Sequence, residues 1–194
     1  MTTSITDLVH QSRSPLRKRL LSYFFTNTEA RLYLREIALT LGMDPANLSR
    51  ELHRLEEEGV FVSEKSGLQK YFLINKSYPL YPELKSMIFK TIGVQGSLQR
   101  LVEEFSEIRL AFIYGSYASG KEKASSDIDL MIVGTPDRKR LTARVRNLEN
   151  QLQREINFNL YPPLEFKKKS GEKGSFLAQV AAGKKIILKG SSNG

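Results

Sequence analysis

The sequence has no cysteine, and that absence removes two classes of protein at once: those built on a disulfide framework and those holding a metal through thiolates. It has no apolar run approaching the roughly 18 residues that a membrane span requires. Its first residues do not follow the basic-then-apolar order of a secretory signal, so the expectation is a cytoplasmic protein with no membrane contact. There is no internal repeat, no low-complexity segment and no heptad run.

What is present is an ordinary globular composition, 40% hydrophobic and 26% charged over 194 residues, enough for one large or two small domains. The net charge is +9, from 30 basic and 21 acidic side chains. Such a balance favours polyanionic partners without separating nucleic acid from nucleotide. The charge is unevenly spread: the first 90 residues carry 13 basic and 10 acidic side chains, the remainder 17 and 11.

The chemistry concentrates in Gly115-Ser116-Tyr117-Ala118-Ser119-Gly120 and, six residues later, Asp127-Ile128-Asp129-Leu130-Met131-Ile132-Val133. An apolar run over residues 110–114 enters the Gly/Ser turn, and a second apolar run carries two carboxylates two positions apart. The pattern predicts strand, loop, strand. In a strand, positions i and i+2 share a face, so Asp127 and Asp129 project together while Ile128, Leu130 and Ile132 point into a core. Two carboxylates on one face suit Mg²⁺ or Mn²⁺. Gly115 lets backbone approach a ligand closely, and the Ser116 hydroxyl with neighbouring N–H groups suits terminal phosphates.

These residues, with Ala118, Gly120 and Ser126-Asp127-Ile128-Asp129-Leu130, resemble the signature of the minimal nucleotidyltransferases of the DNA polymerase β superfamily. The resemblance covers about twenty contiguous residues. It implies Asp127 and Asp129 as catalytic carboxylates and metal ligands, Gly115 and Ser116 as nucleotide-binding residues, and a nucleoside triphosphate as substrate or ligand. The implied reaction moves a nucleoside monophosphate to a hydroxyl acceptor, with metal ions activating the attacking oxygen and stabilising the departing pyrophosphate. The family also places a third carboxylate on a later strand. Here that strand is predicted over residues 155–160, with Ile156, Phe158 and Leu160 inward and Asn157 and Asn159 on the open face. An amide offers a neutral oxygen to a metal but cannot take the nucleophile's proton. Glu155 shares the parity of Asn157 and substitutes for the missing carboxylate only if the strand register allows.

Nearer the start, residues 1–14 are polar, with at most weak helical character. Pro15 suits a helix first turn, and Leu16, Leu20, Leu21, Phe24 and Phe25 recur at helical spacing. After the short segment 31–34, Ile37, Ala38 and Leu41 mark a second helix stopped by Gly42. Asp44 and Pro45 begin a third. That helix buries Leu48, Leu52 and Leu55 and exposes Asn47, Ser49, Arg50, His53 and Arg54. The period then becomes alternating over Val60-Phe61-Val62, with a turn at Ser66-Gly67 and a return over residues 68–74, a hairpin carrying Lys65, Gln69 and Lys70 near its tip.

Residues 15–75 resemble winged helix-turn-helix transcription regulators, through Leu34-Arg35-Glu36-Ile37-Ala38 before the turn and Leu48-Ser49-Arg50-Glu51-Leu52-His53-Arg54-Leu55 after it. The resemblance implies double-stranded DNA as a partner, read by Asn47, Ser49, Arg50, His53 and Arg54 in the major groove with Lys70 on the wing. Such regulators often form homodimers. A winged helix used for protein contacts is the blander reading, as a solvated face is for Lys167-Lys168-Lys169 and Lys184-Lys185.

Tyr78 and Tyr81 precede another helical stretch, with core packing as their expected role. The break at Ile92-Gly93-Val94-Gln95-Gly96 divides the chain into a winged-helix domain over 1–92 and a nucleotidyltransferase-like domain over 93–194. The second domain is expected to open with a helix burying Leu98, Leu101, Val102 and Phe105. A helix starting at Pro136 is expected to bury Leu141, Val145, Leu148 and Leu152. The fold class is therefore α+β: an N-terminal winged helix-turn-helix domain, then a small mixed-sheet nucleotidyltransferase fold. Three functions fit: a DNA-binding regulator with a nucleotide-sensing domain, an active nucleotidyltransferase, or an interaction module akin to nucleotidyltransferase-fold antitoxins.

Overall fold

The computed structural model describes residues 14–123 and 125–191; the polar stretch before Ser14 lies outside the described residues. The chain divides into two compact units after Val94.

In the first unit, Ser14 caps helix α1 (Pro15–Thr26) by accepting from the Arg17 backbone N–H, and Pro15 sits in the first turn, where its missing donor costs nothing. A two-residue strand, β1 (Leu32–Tyr33), occupies the segment between the first helices and runs directly into α2 (Leu34–Leu41). Gly42 ends α2 in the left-handed region, at φ 56°, and Asp44 caps α3 (Pro45–Glu57) by accepting from the Asn47 N–H. Strands β2 (Phe61–Ser66) and β3 (Gln69–Ile74) form the expected hairpin, and β1 joins it to give the antiparallel order β1-β3-β2. Helix α4 (Tyr81–Thr91) closes the unit, burying Leu84 and Ile88.

The core gathers Leu20, Phe24, Ile37, Leu48, Leu52, Leu55 and Phe61, each at most 1% exposed. Every such side chain stabilises by roughly 1.5–3 kcal/mol on leaving water. Tyr81 stacks on Phe25 with ring centroids 5.8 Å apart, and Tyr78 packs partly buried against the same core. At the edge of this core the half-buried Arg17 guanidinium on α1 donates to the buried Glu51 and to Glu58 of the α3 end, with Nη1 to Glu51 Oε1 at 2.8 Å.

The second unit holds helix α5 (Val94–Glu103), β4 (Ile108–Tyr114), α6 (Gly115–Ser119), β5 (Ile128–Gly134), α7 (Arg138–Leu152), β6 (Ile156–Tyr161), α8 (Pro163–Gly171), α9 (Phe176–Ala182) and β7 (Ile186–Lys189). The sheet order is β6-β5-β4-β7, with β5 parallel to β6 and the other pairings antiparallel, a mixed sheet in an α+β chain. Three local expectations change. The Gly/Ser stretch is a single helical turn, α6, instead of an open loop. Helix α7 starts at Arg138, because Asp137 accepts from the Arg140 N–H and takes the cap that Pro136 would have preceded. Strand β7 is an addition, whose Lys189 ammonium donates to the Phe105 carbonyl at 2.7 Å just beyond α5.

One face of the sheet buries Ile113, Leu130 and Ile132, while α5 and α7 bury the stripes headed by Leu98 and Leu141. Those helices are tied together by Arg144 and Glu104 (Nε to Oε2, 2.8 Å) and by Arg140 over the Phe105 ring. On the other face Phe112, Tyr114, Met131 and Val133 pack with Leu177 and Val180 of α9 and Phe166 of α8.

Candidate functional site

Strand alternation puts Asp127 and Asp129 on the sheet face that α8 and α9 share, at the end where β4 finishes and β5 begins. Asp129 pairs in register with Tyr114 of β4 on one side and with Asn157 of β6 on the other. In-register partners point to the same face, so these three side chains form one row across the sheet. Asn157 Nδ2 donates to Asp127 Oδ2 at 3.2 Å. Turning that amide over would present Oδ1 to the carboxylates, the orientation that a cation among them requires.

Gly115 follows Tyr114 at φ 70°, a region that L side chains rarely adopt. A Cβ built there would meet Asp129 Oδ2 at 2.2 Å. The Asp129 carboxylate thus lies against bare backbone, with Ser116 half-buried on the next residue. The Ser119 hydroxyl donates to carbonyls within the same turn, at 3.0 Å from Gly115 O and from Ser116 O. Burial, and then the charge of Asp127 beside it, hold the Asp129 carboxyl above its ordinary pKa. Two acids that resist sharing charge are what a divalent cation would relieve. Glu155 does not join them. Its carbonyl accepts from the Ile128 N–H at 2.9 Å, next to Asp127, but its side chain is exposed, and among the described residues no three His, Cys, Asp or Glu gather as a metal site. A cation here would rest on Asp127, Asp129 and the Asn157 amide oxygen, completed by ligand phosphates.

Two residues at this face, Tyr114 and Phe176, escaped the sequence reading as site components, and Asn159, expected on the open face beside Asn157, is there. The Tyr114 hydroxyl accepts from Asn159 Nδ2 at 2.9 Å, across the intervening strand. Burial raises the Tyr114 hydroxyl above its ordinary pKa; the Asn159 donor opposes this and the Asp129 charge adds to it. Phe176, at the first position of α9, sets its ring edge-to-face on Tyr114 with centroids 6.0 Å apart. A tyrosine ending an apolar strand was the one available signal; Phe176 had none.

In the first unit, α3 turns Leu48, Leu52 and Leu55 inward and leaves Asn47, Arg50, His53 and Arg54 exposed, with Ser49 half-buried. Arg50 donates to the Asn47 side chain, and Arg54 Nη1 lies 3.8 Å from Glu51. A cleft of about 290 Å³ opens beside them, lined also by Ser14 and Leu16. Lys70 on β3 donates to Glu56 at 2.7 Å, and His53 Nδ1 lies 3.5 Å from that same carboxylate. The Lys70 and Ser63 hydrogen bonds hold the Glu56 carboxyl below its ordinary pKa and tie the hairpin to the end of α3.

A comparison with curated proteins finds no match. Among solved structures, a chain of a toxin–antitoxin crystallised with AMP-PNP is 20% identical with a TM-score of 0.37, covering 50% of this chain and 73% of that one. A chain from a complex of tri-AMPylated Shewanella oneidensis HEPN toxin with MNT antitoxin is 18% identical with a TM-score of 0.33, covering 50% and 70%. Likenesses this distant establish neither an activity nor a partner. The model of the family described as polymerase beta nucleotidyltransferase matches residues 97–193, which is half the chain and includes Gly115, Ser116, Asp127, Asp129 and Asn157. The chain belongs to the polymerase beta nucleotidyltransferase family.

Proposed function

We propose that the protein is a DNA-binding regulator carrying a nucleotidyltransferase domain that binds a nucleoside triphosphate with Mg²⁺ or Mn²⁺. The row of Tyr114, Asp129 and Asn157, with Asp127 beside it and Gly115 against the Asp129 carboxylate, carries the reading. Asp127 and Asp129 are the metal-holding and catalytic carboxylates, and Gly115 and Ser116 face the phosphates. The cation, when bound, neutralises charge on the triphosphate and on the leaving pyrophosphate. The chain's own side chains fix the acids on one rigid strand and let backbone approach the phosphates where a side chain would intrude.

The reaction is transfer of a nucleoside monophosphate to a hydroxyl acceptor. Asn157 stands where the family's third carboxylate is expected, so no carboxylate beside the pair accepts the acceptor's proton. That observation favours a slow enzyme and supports a second reading, in which the domain senses nucleotide without turnover.

The unit before the break at 92–96 is, on this proposal, a winged helix. Arg50, Arg54, Asn47, Ser49 and His53 face double-stranded DNA, with Lys70 at the wing. Calorimetric titration of nucleoside triphosphates with Mg²⁺, followed by pyrophosphate detection, tests the nucleotide half. Binding should require the metal and vanish in Asp127→Asn. Metal-independent binding that survives this substitution would defeat the site assignment, and binding without pyrophosphate release would select the sensor over the enzyme.

A further inference from the structure

Among the described residues, Phe176 is the one phenylalanine or tyrosine with more than half its surface exposed, at 52%. Exposure is unusual for a ring so firmly held. Its neighbour Leu177 is 2% exposed in the sheet-face core. Ser175 caps α9 by accepting from the Ala178 N–H at 3.0 Å and donates its own hydroxyl to the Lys169 carbonyl at 2.7 Å. The ring rests edge-to-face on Tyr114, whose hydroxyl Asn159 pins and whose backbone pairs with Asp129. An immobilised, solvent-facing aromatic surface therefore stands one residue away from the acid pair, on the same side of the sheet.

A triphosphate held at Asp127 and Asp129 has its base one sugar away from the reacting phosphorus. We propose that Phe176, braced by Tyr114, is the stacking platform for that base, and that the ligand is a purine nucleoside triphosphate; this rests on the nucleotide reading of the acid site. Every base has a π-face, so a ring platform gains more from the larger purine and separates purine from pyrimidine better than adenine from guanine.

The test titrates the full chain, with Mg²⁺ present, against ATP, GTP, CTP, UTP and inorganic tripolyphosphate, the last being a probe with no base. ATP and GTP should bind with similar affinity and more tightly than CTP and UTP. Phe176→Ala should weaken ATP and GTP by about tenfold, the scale of one lost base–aromatic stack, and leave tripolyphosphate unchanged. Phe176→Leu, which keeps apolar contact with Tyr114 but lacks a ring, should behave as the alanine variant, whereas Phe176→Trp should retain wild-type affinity. Unchanged ATP binding in Phe176→Ala, or a loss shared equally by tripolyphosphate, would overturn the platform while leaving the acid-site reading in place. Failure of the wild-type protein to bind tripolyphosphate or any triphosphate would bring down both.

Discussion

Replacing Asn157 by Asp would put a third carboxylate beside the pair. Asn157 Nδ2 now sits 3.2 Å from Asp127 Oδ2, so the substitution exchanges a donor for a like charge at that spacing. Two unit charges so placed repel by about 1.3 kcal/mol in water and about 5 kcal/mol at an effective dielectric constant of 20. Asp127 and Asn157 are both exposed, so the aqueous value governs and the metal-free variant should lose about 1–2 kcal/mol. For a unit of roughly 100 residues, each kcal/mol lowers the melting temperature by about 4–8 °C. Mg²⁺ should more than restore that loss, because three carboxylates would then hold the ion. With water standing in for the acceptor, pyrophosphate release should rise by at least about 100-fold, the low end for a positioned general base. Scanning calorimetry with and without Mg²⁺, alongside pyrophosphate detection with the Asp127→Asn/Asn157→Asp double variant as blank, measures both effects. A variant that melts like the wild type in both conditions and releases pyrophosphate no faster would refute the placement of Asn157 beside the reacting groups.

Asp129 titrates above its ordinary range in the folded state, so folding favours its protonated form. The metal-free protein should therefore lose stability as pH rises from the ordinary Asp value through the folded one. Asp129→Asn should remove that slope, and identical slopes in EDTA melts across the window would count against the buried acid pair. Arg17→Ala would leave the Glu51 side chain, 8% exposed, with the exposed Arg54 guanidinium at 3.8 Å in place of a direct hydrogen bond, and should cost about 1.5–3 kcal/mol in urea unfolding; a loss under about 0.5 kcal/mol would mean that the pair is not buried in solution. Arg50→Ala should weaken DNA binding by about 1–3 kcal/mol if the guanidinium reads a base, and an unchanged isotherm and footprint would count against α3 as the reading helix.

Much of the local structure was legible because its causes are local. Asp44-Pro45 starts α3, Gly42 ends α2, and the two-residue alternation around Asp127 and Asp129 fixes which face those acids occupy. Other features depended on residues far apart in the chain. Glu51 shares the helical face of Leu48 and Leu55, yet its burial required Arg17, 34 residues earlier, to neutralise it. Strand β7 buries only Leu188 firmly among its four residues, too little to stand out beside the lysines. Phe176 looked like any helix-starting apolar residue, and only the return of α9 over the sheet brings it to Tyr114.

Asn157 and Glu155 mark the boundary most clearly. Strand periodicity puts both on one parity, so the amino-acid order alone decided that an amide and a carboxylate compete for the place beside the acids. The tertiary structure decided between them: the pairing of β6 with β5 sets Asn157 opposite Asp129 with its amide on Asp127, while Glu155, at the strand's edge beside Asp127, has an exposed side chain. Parity is a property of one strand and can be read from its sequence. Register is a relation between two strands, set by how their apolar partners, Ile128 with Ile156 and Leu130 with Phe158, pack across the sheet.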